Sequence, residues 1–432
     1  MVETNPLRLA SLISFLLFGL SFPSLAAENQ DTIPVHATNS PLRKLELGGY
    51  GAMNYYDFNW QTDSSKRDAI DQEFFVAELK YHWTDRIRLN AEIEFEHGGT
   101  GASLEFDRFE EFGEFEYEIS KGGEVIVEEM NLEFDVLKKC ILQVGRVKVP
   151  FGASFNRNEP TDYPTAAFSE MEAVILPHNW TDNGISLSGS IGQKRNWRYS
   201  IALVNGLDCS AFNSANWIMR GHQKRFELVN AENFALAGRL DFVPNEKMKL
   251  GFSLYGGNTK DNRPKPDLQV DTPLGIGDIH YQQRTSWVNI NTMFFYGVLG
   301  NSEALSNQNR NLSNNLNVKR TPVAEAAIGG FAELEFPIIK KDPNALADSH
   351  RAQLSAYGRA DYYDTMYKTQ GEIFNNPRWE RISFSFGGVL KIIDEVQFKT
   401  QYIIRTVGAP APSSIDGGTR ENTFILGFAF EF

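Results

Sequence analysis

Side-chain chemistry needs nucleophiles, acids, bases or metal ligands brought together, and this sequence spaces none of them that way. Its 7 histidines, among them His82, His97, His178, His222, His280 and His350, are scattered without metal-ligand spacing. HExxH, GxxxxGK[ST] and Cys-x-x-Cys do not occur, and no local signature joins a serine to a histidine as a hydrolase would require. The 2 cysteines, Cys140 and Cys209, are too few for a disulfide scaffold or a Cys-rich zinc module. No catalytic residue, metal or cofactor is therefore expected. What recurs at regular spacing is charge, and fixed charge can filter solutes without any reaction.

The bases on the polar face of that spacing are Lys80, Arg86, Arg88, Arg198, Arg239, Lys249, Arg359, Arg381, Lys399 and Arg405. The acids are Glu78, Glu92, Glu94, Glu129, Glu133, Asp135, Asp241, Glu325, Glu333, Glu335 and Asp361. The signs roughly balance, so a wall built from them carries no strong ion preference. Arg359, Arg381, Lys399 and Arg405 fall on three consecutive segments and could group into a positive field. Solvated pairing with carboxylates is the commoner fate of such residues. Arg146 and Lys148 are ambiguous, since a bulge near Gly145 would change their facing. A second set, Arg157, Glu159, Asp162, Glu170, Glu172 and His178, lies in an irregular stretch over 149–181 and supplies candidates for a constriction. A third stretch, Ser103 to Ser120, has seven acids and one base, Arg108. It reads as a solvated external loop ahead of a cation-attracting mouth or a divalent-metal bridge to lipopolysaccharide phosphates.

Strands must hold these positions. From Arg86 to Glu96 the alternation never slips: Ile87, Leu89, Ala91, Ile93 and Phe95 share one face, and six polar residues share the other. Phe234, Leu236, Gly238, Leu240 and Phe242 repeat the pattern, as do Phe424, Leu426, Phe428, Phe430 and Phe432. Sixteen strands are predicted, near 44–57, 72–83, 86–97, 123–135, 139–148, 182–190, 196–205, 233–243, 247–257, 276–283, 286–297, 323–337, 351–364, 379–391, 395–406 and 421–432. Tight connections alternate with long ones, so one end carries turns and the other loops. A sandwich has no reason to segregate loops in this way, whereas a transmembrane barrel does. The fold class is thus all-β, a transmembrane antiparallel barrel over 42–432. The pair 276–283 and 286–297 is the weakest part of the count. Tyr55, Tyr56, Trp60, Tyr81, Trp83, Tyr362, Tyr363 and Trp379 near strand ends suit interfacial girdles.

Composition agrees. Phe supplies 32 of 432 residues, yet mean hydropathy is −0.34, as when apolar and polar positions alternate. The net charge of −13 argues against a nucleic-acid partner. Leu9 to Leu25 is apolar apart from serines, one glycine and Pro23, and Ser24-Leu25-Ala26 has small residues where a signal peptidase reads. A cleaved signal over 1–26 and a flexible leader over 27–41 are expected. Cys140 and Cys209 fall at opposite ends of such a barrel, too far apart for a disulfide.

Several stretches resemble the phosphate-selective porin O and P family. They are Glu94-Phe95-Glu96-His97-Gly98-Gly99, Gly123-Glu124-Val125 with Glu128-Glu129, and most distinctively Val144-Gly145-Arg146-Val147-Lys148-Val149-Pro150-Phe151-Gly152, followed by Asn156, Glu159 and Pro160. The resemblance implies a homotrimeric sixteen-stranded channel of a Gram-negative outer membrane, with its third external loop folded inward. The family's arginine ladder for phosphate has no residue-by-residue counterpart here, so phosphate selectivity is not carried over. Phe428, Phe430 and Phe432 resemble the terminal signal read by the barrel-assembly machinery. Other expected partners are outer-membrane lipid, lipopolysaccharide and small ionic solutes, with phosphate among the candidates. The function read from the sequence is passive diffusion. An adhesin or receptor barrel binding through its long loops is the alternative, and a barrel hydrolase comes third.

Overall fold

The computed structural model describes residues 44–432, except 64, 100–101, 108–115, 122, 138, 178, 193, 195, 224–230, 261–267, 311–320, 340–351 and 412–413. The expected signal and leader over 1–41 lie outside the described residues.

Period-two sequence becomes strand wherever it was read. The strands are β1 (Leu45–Trp60), β2 (Ala69–Thr84), β3 (Ile87–Glu96), β4 (Ala102–Asp107), β5 (Glu116–Lys121), β6 (Val125–Leu137), β7 (Cys140–Lys148), β8 (Thr181–Ile191) and β9 (Trp197–Asn205). They continue as β10 (Phe234–Asn245), β11 (Met248–Asn258), β12 (Pro273–Arg284), β13 (Asn289–Leu299), β14 (Ala326–Ile339), β15 (Gln353–Lys368), β16 (Glu380–Ile393), β17 (Val396–Val407) and β18 (Arg420–Glu431).

Sixteen of them close an antiparallel barrel in chain order, with β3 pairing directly to β6. Closure runs along β1 and β18 from Tyr50↔Glu431 to Trp60↔Glu421, so the barrel itself has no open edge. The weakest pair in the sequence count, β12 and β13, is joined by a tight turn in which the Thr285 hydroxyl donates to the Val288 carbonyl at 2.6 Å.

Strands β4 and β5 fall in the stretch Ser103–Ser120 that is expected to be an external loop. β4 and β5 pair as a separate hairpin from Ala102↔Lys121 to Asp107↔Glu116. The physical reason is in the sequence: Leu104 and Phe106 alternate with acids, as do Tyr117 and Ile119.

The outer face keeps its apolar side chains uncovered. Leu254 is 60% exposed and Ile279 59%, a degree that only lipid or another apolar surface would cover. Gly145 sits inside β7 with φ 137°, and a Cβ there would lie 2.3 Å from the Met130 carbonyl oxygen. The register continues through it. Arg146 is buried and donates to the carbonyls of Glu128 and Gln223, while Lys148 faces Glu129 at 3.1 Å and Glu92 at 3.6 Å.

Candidate functional site: a loop strapped across the lumen

The connection 149–180, between β7 and β8, crosses the lumen and touches strands from both sides. It turns inward at Gly152, whose φ of 83° places it in the left-handed region. Beside it, Phe151 packs edge-on against Trp180 and Phe295. The Gly152 N–H donates to Asp278 at 3.2 Å, and its carbonyl accepts from Arg239 at 2.5 Å. Arg239 is itself fixed by Asp241 at 2.9 Å, and His280 bridges Asp241 at 2.7 Å and Asp278 at 2.6 Å. These inward residues of β10 and β12 anchor the start of the loop.

The far side is held more densely. Irregular backbone in a lumen exposes carbonyls that need donors, and the wall supplies them. Lys399 donates to the carbonyls of Pro160, Tyr163 (2.6 Å) and Thr165 (3.0 Å). Arg359 donates to the Thr165 hydroxyl (3.0 Å) and to the carbonyls of Ala167 (3.2 Å) and Phe168 (2.8 Å), with Asp361 at 2.9 Å. Gln397 reaches the Thr161 carbonyl, and Gln401 accepts from the Ala167 N–H. Asn158 donates to Tyr50 on β1, and Thr161 to Glu431 on β18.

The loop then forms a short helix, Glu170–Ile175. Ser169 caps it by accepting from the Glu172 N–H, while the Ser169 hydroxyl donates to Asp361 at 2.7 Å.

These contacts describe where the four bases of the possible positive group go. Arg359 and Lys399 face inward but are 4% and 2% exposed, their charge spent on loop carbonyls. Arg405 pairs with Glu421 and, at 3.6 Å, with Glu170. Arg381 lies over the rings of Trp379 and Tyr363. Arg88 is taken by Glu133 and Asp135, Arg86 is exposed at the β2–β3 turn, and Lys80 and Lys249 are half-buried on β2 and β11.

Of the constriction candidates, Arg157, Glu159 and Asp162 line a cavity of about 570 Å³ beneath the loop, at the turn end of β12–β16. Arg157 faces Glu333 at 3.5 Å. Burial, together with the neighbouring carboxylates of Glu431 and Asp162, pushes the Glu159 carboxyl up to about 7. Glu170 and Glu172 are not at an open eyelet: burial raises both, opposed by Arg405 at Glu170 and by the Ser154 N–H at Glu172. His178 lies outside the described residues. A second cavity, of about 510 Å³, is lined by Arg198, Lys148, Arg239 and serines of β8 and β9. No group of His, Cys, Asp and Glu among the described residues could hold a metal ion. Cys140 and Cys209 are both free thiols.

Sequence reasoning missed what fills the loop end. On β12 the inward phase runs Gln282, His280, Asp278, then Ile276 and Leu274; on β13 it runs Asn289, Asn291, then Met293, Phe295 and Leu299. The face switches from polar to apolar within one strand. The apolar part is buried under the loops around Phe212, Trp217 and Leu305, with Trp217 fully enclosed and its indole N–H donating to the Ala324 carbonyl. That switch was the available signal. Three of the expected girdle aromatics, Tyr56, Trp60 and Tyr363, also point inward: Tyr56 and Trp60 share the phase of Asn54 and Glu421 rather than that of Tyr55 and Leu426, and Tyr363 shares that of Arg359 and Asp361.

No family model matches the chain. An uncharacterized protein of Aquifex aeolicus (strain VF5) is 26% identical over 233 residues, covering 53% of this chain and 48% of that protein, so the match spans about half the relative's length. Among solved structures, the barrel is similar to a loop L8 deletion mutant of OmpT, an outer membrane protein of Vibrio cholerae, with TM-score 0.50, 9% identity, and 90% and 99% of the two chains covered. It is also similar to Salmonella typhi OmpF in complex with daunomycin, with TM-score 0.51, 8% identity, and 90% and 97% covered. The likeness is one of fold: a porin-type closed barrel.

Proposed function

We propose that this chain is a passive-diffusion channel of a bacterial outer membrane, with its short turns in the periplasm and its long loops outside. The observation that carries this reading is the loop 149–180, strapped across the lumen by Arg239, Arg359 and Lys399, with two cavities lined largely by polar residues at the turn end of the barrel. A loop anchored in this way narrows a lumen, and the proposed channel passes small hydrophilic solutes by size.

The same reading includes removal of residues 1–26 on secretion, assembly through the strand ending in Phe428, Phe430 and Phe432, a setting of lipopolysaccharide, and a homotrimer. Membership of the phosphate-selective porin O and P family rests on the stretch 144–160. Anion preference is not part of the proposal, because Arg359, Lys399 and Arg405 are committed to carbonyls and carboxylates and Arg381 to aromatic rings.

The test is the reversal potential of purified protein in planar bilayers under a KCl gradient, repeated with phosphate. Stepwise currents with weak selectivity and no phosphate block are expected. Strong anion selectivity with millimolar block would restore the phosphate reading.

A further inference from the structure

The outer face of the barrel is studded with apolar side chains, and one part of it is hollow. On β10–β12 the outward positions include Gly238, Gly256, Gly275 and Gly277, which form the floor of a groove of about 1130 Å³. Gly256 pairs with Gly275 across β11 and β12, and Gly277 follows two residues on, towards the turns. Leu254 stands between Gly238 and Gly277 and divides the floor. The walls are Leu236, Leu240, Phe252, Ile279, Phe294 and Tyr296. Apart from the half-buried Leu240 these wall residues are exposed, so the groove opens away from the barrel.

Glycine inside a strand weakens it, so each of these calls for a cause. None of the four is in the left-handed region. A Cβ on Gly238 or Gly275 would meet nothing within 4 Å, and one on Gly256 would come no nearer than 3.5 Å, to the Leu274 carbonyl oxygen. Inward glycines of neighbouring strands differ: a Cβ on Gly297 would lie 2.4 Å from the Trp217 ring, and one on Gly257 2.9 Å from Ala235. Packing inside the barrel accounts for those two. At Gly238, Gly256 and Gly275 neither packing nor backbone conformation demands glycine, and what the residue keeps is space outside the wall. Just beyond the loop end of the groove, the Lys260 ammonium pairs with the exposed Asp271 at 2.9 Å, and the Asn258 amide donates to the same carboxylate at 3.3 Å.

We propose that this groove docks acyl chains of lipopolysaccharide, an inference that rests on the channel reading, which sets the long loops outside. All four glycines lie in the loop-end half of their strands, and the leaflet on that side of an outer membrane is built of lipopolysaccharide. The outward phase here carries no charge, so hydrocarbon laid against Leu254 and Phe252 is stabilised by the apolar area it covers. Above the floor, Lys260 offers an ammonium to a headgroup phosphate. A second copy of the chain is the poorer occupant. Four strands about 4.8 Å apart and three outward levels about 6.8 Å apart give a footprint of about 200 Å², against about 800 Å² per partner in a stable interface.

The experiment is native mass spectrometry of the purified full-length protein with hexa-acylated lipid A as the probe, beside dioleoylphosphatidylglycerol. The wild type should retain lipid A, and hold it more tightly than the phospholipid. Gly275→Leu or Gly238→Leu should weaken that retention about ten-fold, since a leucine on the floor displaces about two methylenes from apolar contact. The new Cβ atoms meet open space, so both variants should keep the heat-modifiable barrel and the wild-type KCl current. Equal retention of lipid A by the wild type and both leucine variants overturns the proposal, as does phosphatidylglycerol held as tightly as lipid A. Loss of oligomer mass in the leucine variants with the lipid count unchanged would give the groove to a second copy instead. Lipid A retained by a wild type that passes no current rejects the channel and upholds the groove, whereas current without retained lipid A does the reverse.

Discussion

Lys399 Nζ stands 2.6 Å from the carbonyl oxygen of Tyr163 and 4.3 Å from the centre of the same residue's ring. One ammonium thus holds both the backbone and the side chain of the crossing loop, and two further carbonyls besides. Replacing it strands those acceptors in a buried site. Lys399→Met should cost about 3 kcal/mol of barrel stability, read as earlier loss of the compact, heat-modifiable band on gels. Arg359→Met should behave alike.

Glu159 gives a pH dependence of definite sign. Its folded-state carboxyl titrates near 7 against an ordinary 4.5, so between those values the folded chain holds a proton that the unfolded chain has released. Stability therefore falls as pH rises through that window, and the loop loosens at its upper end. Thermal melts from pH 4.5 to 8 should show this decline. Glu159→Gln, which keeps a neutral group there, should flatten it.

Gly152 is the hinge of the inward turn. A Cβ there would meet a backbone held at φ 83° and lie 2.9 Å from Glu172 Oε1. Gly152→Ala should destabilise by about 1–2 kcal/mol and broaden the spread of single-channel conductance, since the loop would leave the lumen at a different angle. An unchanged, narrow distribution would show that the turn tolerates a side chain.

Trp217 tests the apolar filling. It is fully buried against Phe295 at 5.9 Å, and Gly297 leaves the space that its ring occupies. Trp217→Ala should cost about 3–5 kcal/mol and raise conductance by opening the sector of β9–β14 at the loop end. Destabilisation without a conductance increase would mean that the remaining loops still close that sector.

Strand periodicity made the barrel legible, because lipid and lumen impose opposite polarity on successive residues; Arg86 to Glu96 reads this out without ambiguity. The acidic hairpin β4–β5 was hidden because its charges outweighed its short alternation. The site was legible only in part. Arg359 and Lys399 belong to the inward phase, but nothing in a local sequence says that a loop some 190 or more positions earlier will consume their charge. That follows from unsatisfied carbonyls, which become visible only once the loop has a path. Tyr56 and Trp60 likewise look like girdle residues until the closure register with β18 fixes which way they point.

The most direct test of the whole account is single-channel recording of the wild type beside Lys399→Met in the same bilayers. A loop held across an open lumen predicts steady, ohmic wild-type steps, with larger and noisier steps once the anchor is removed. Identical conductance in the two proteins, or no current from a folded wild-type barrel, would contradict it.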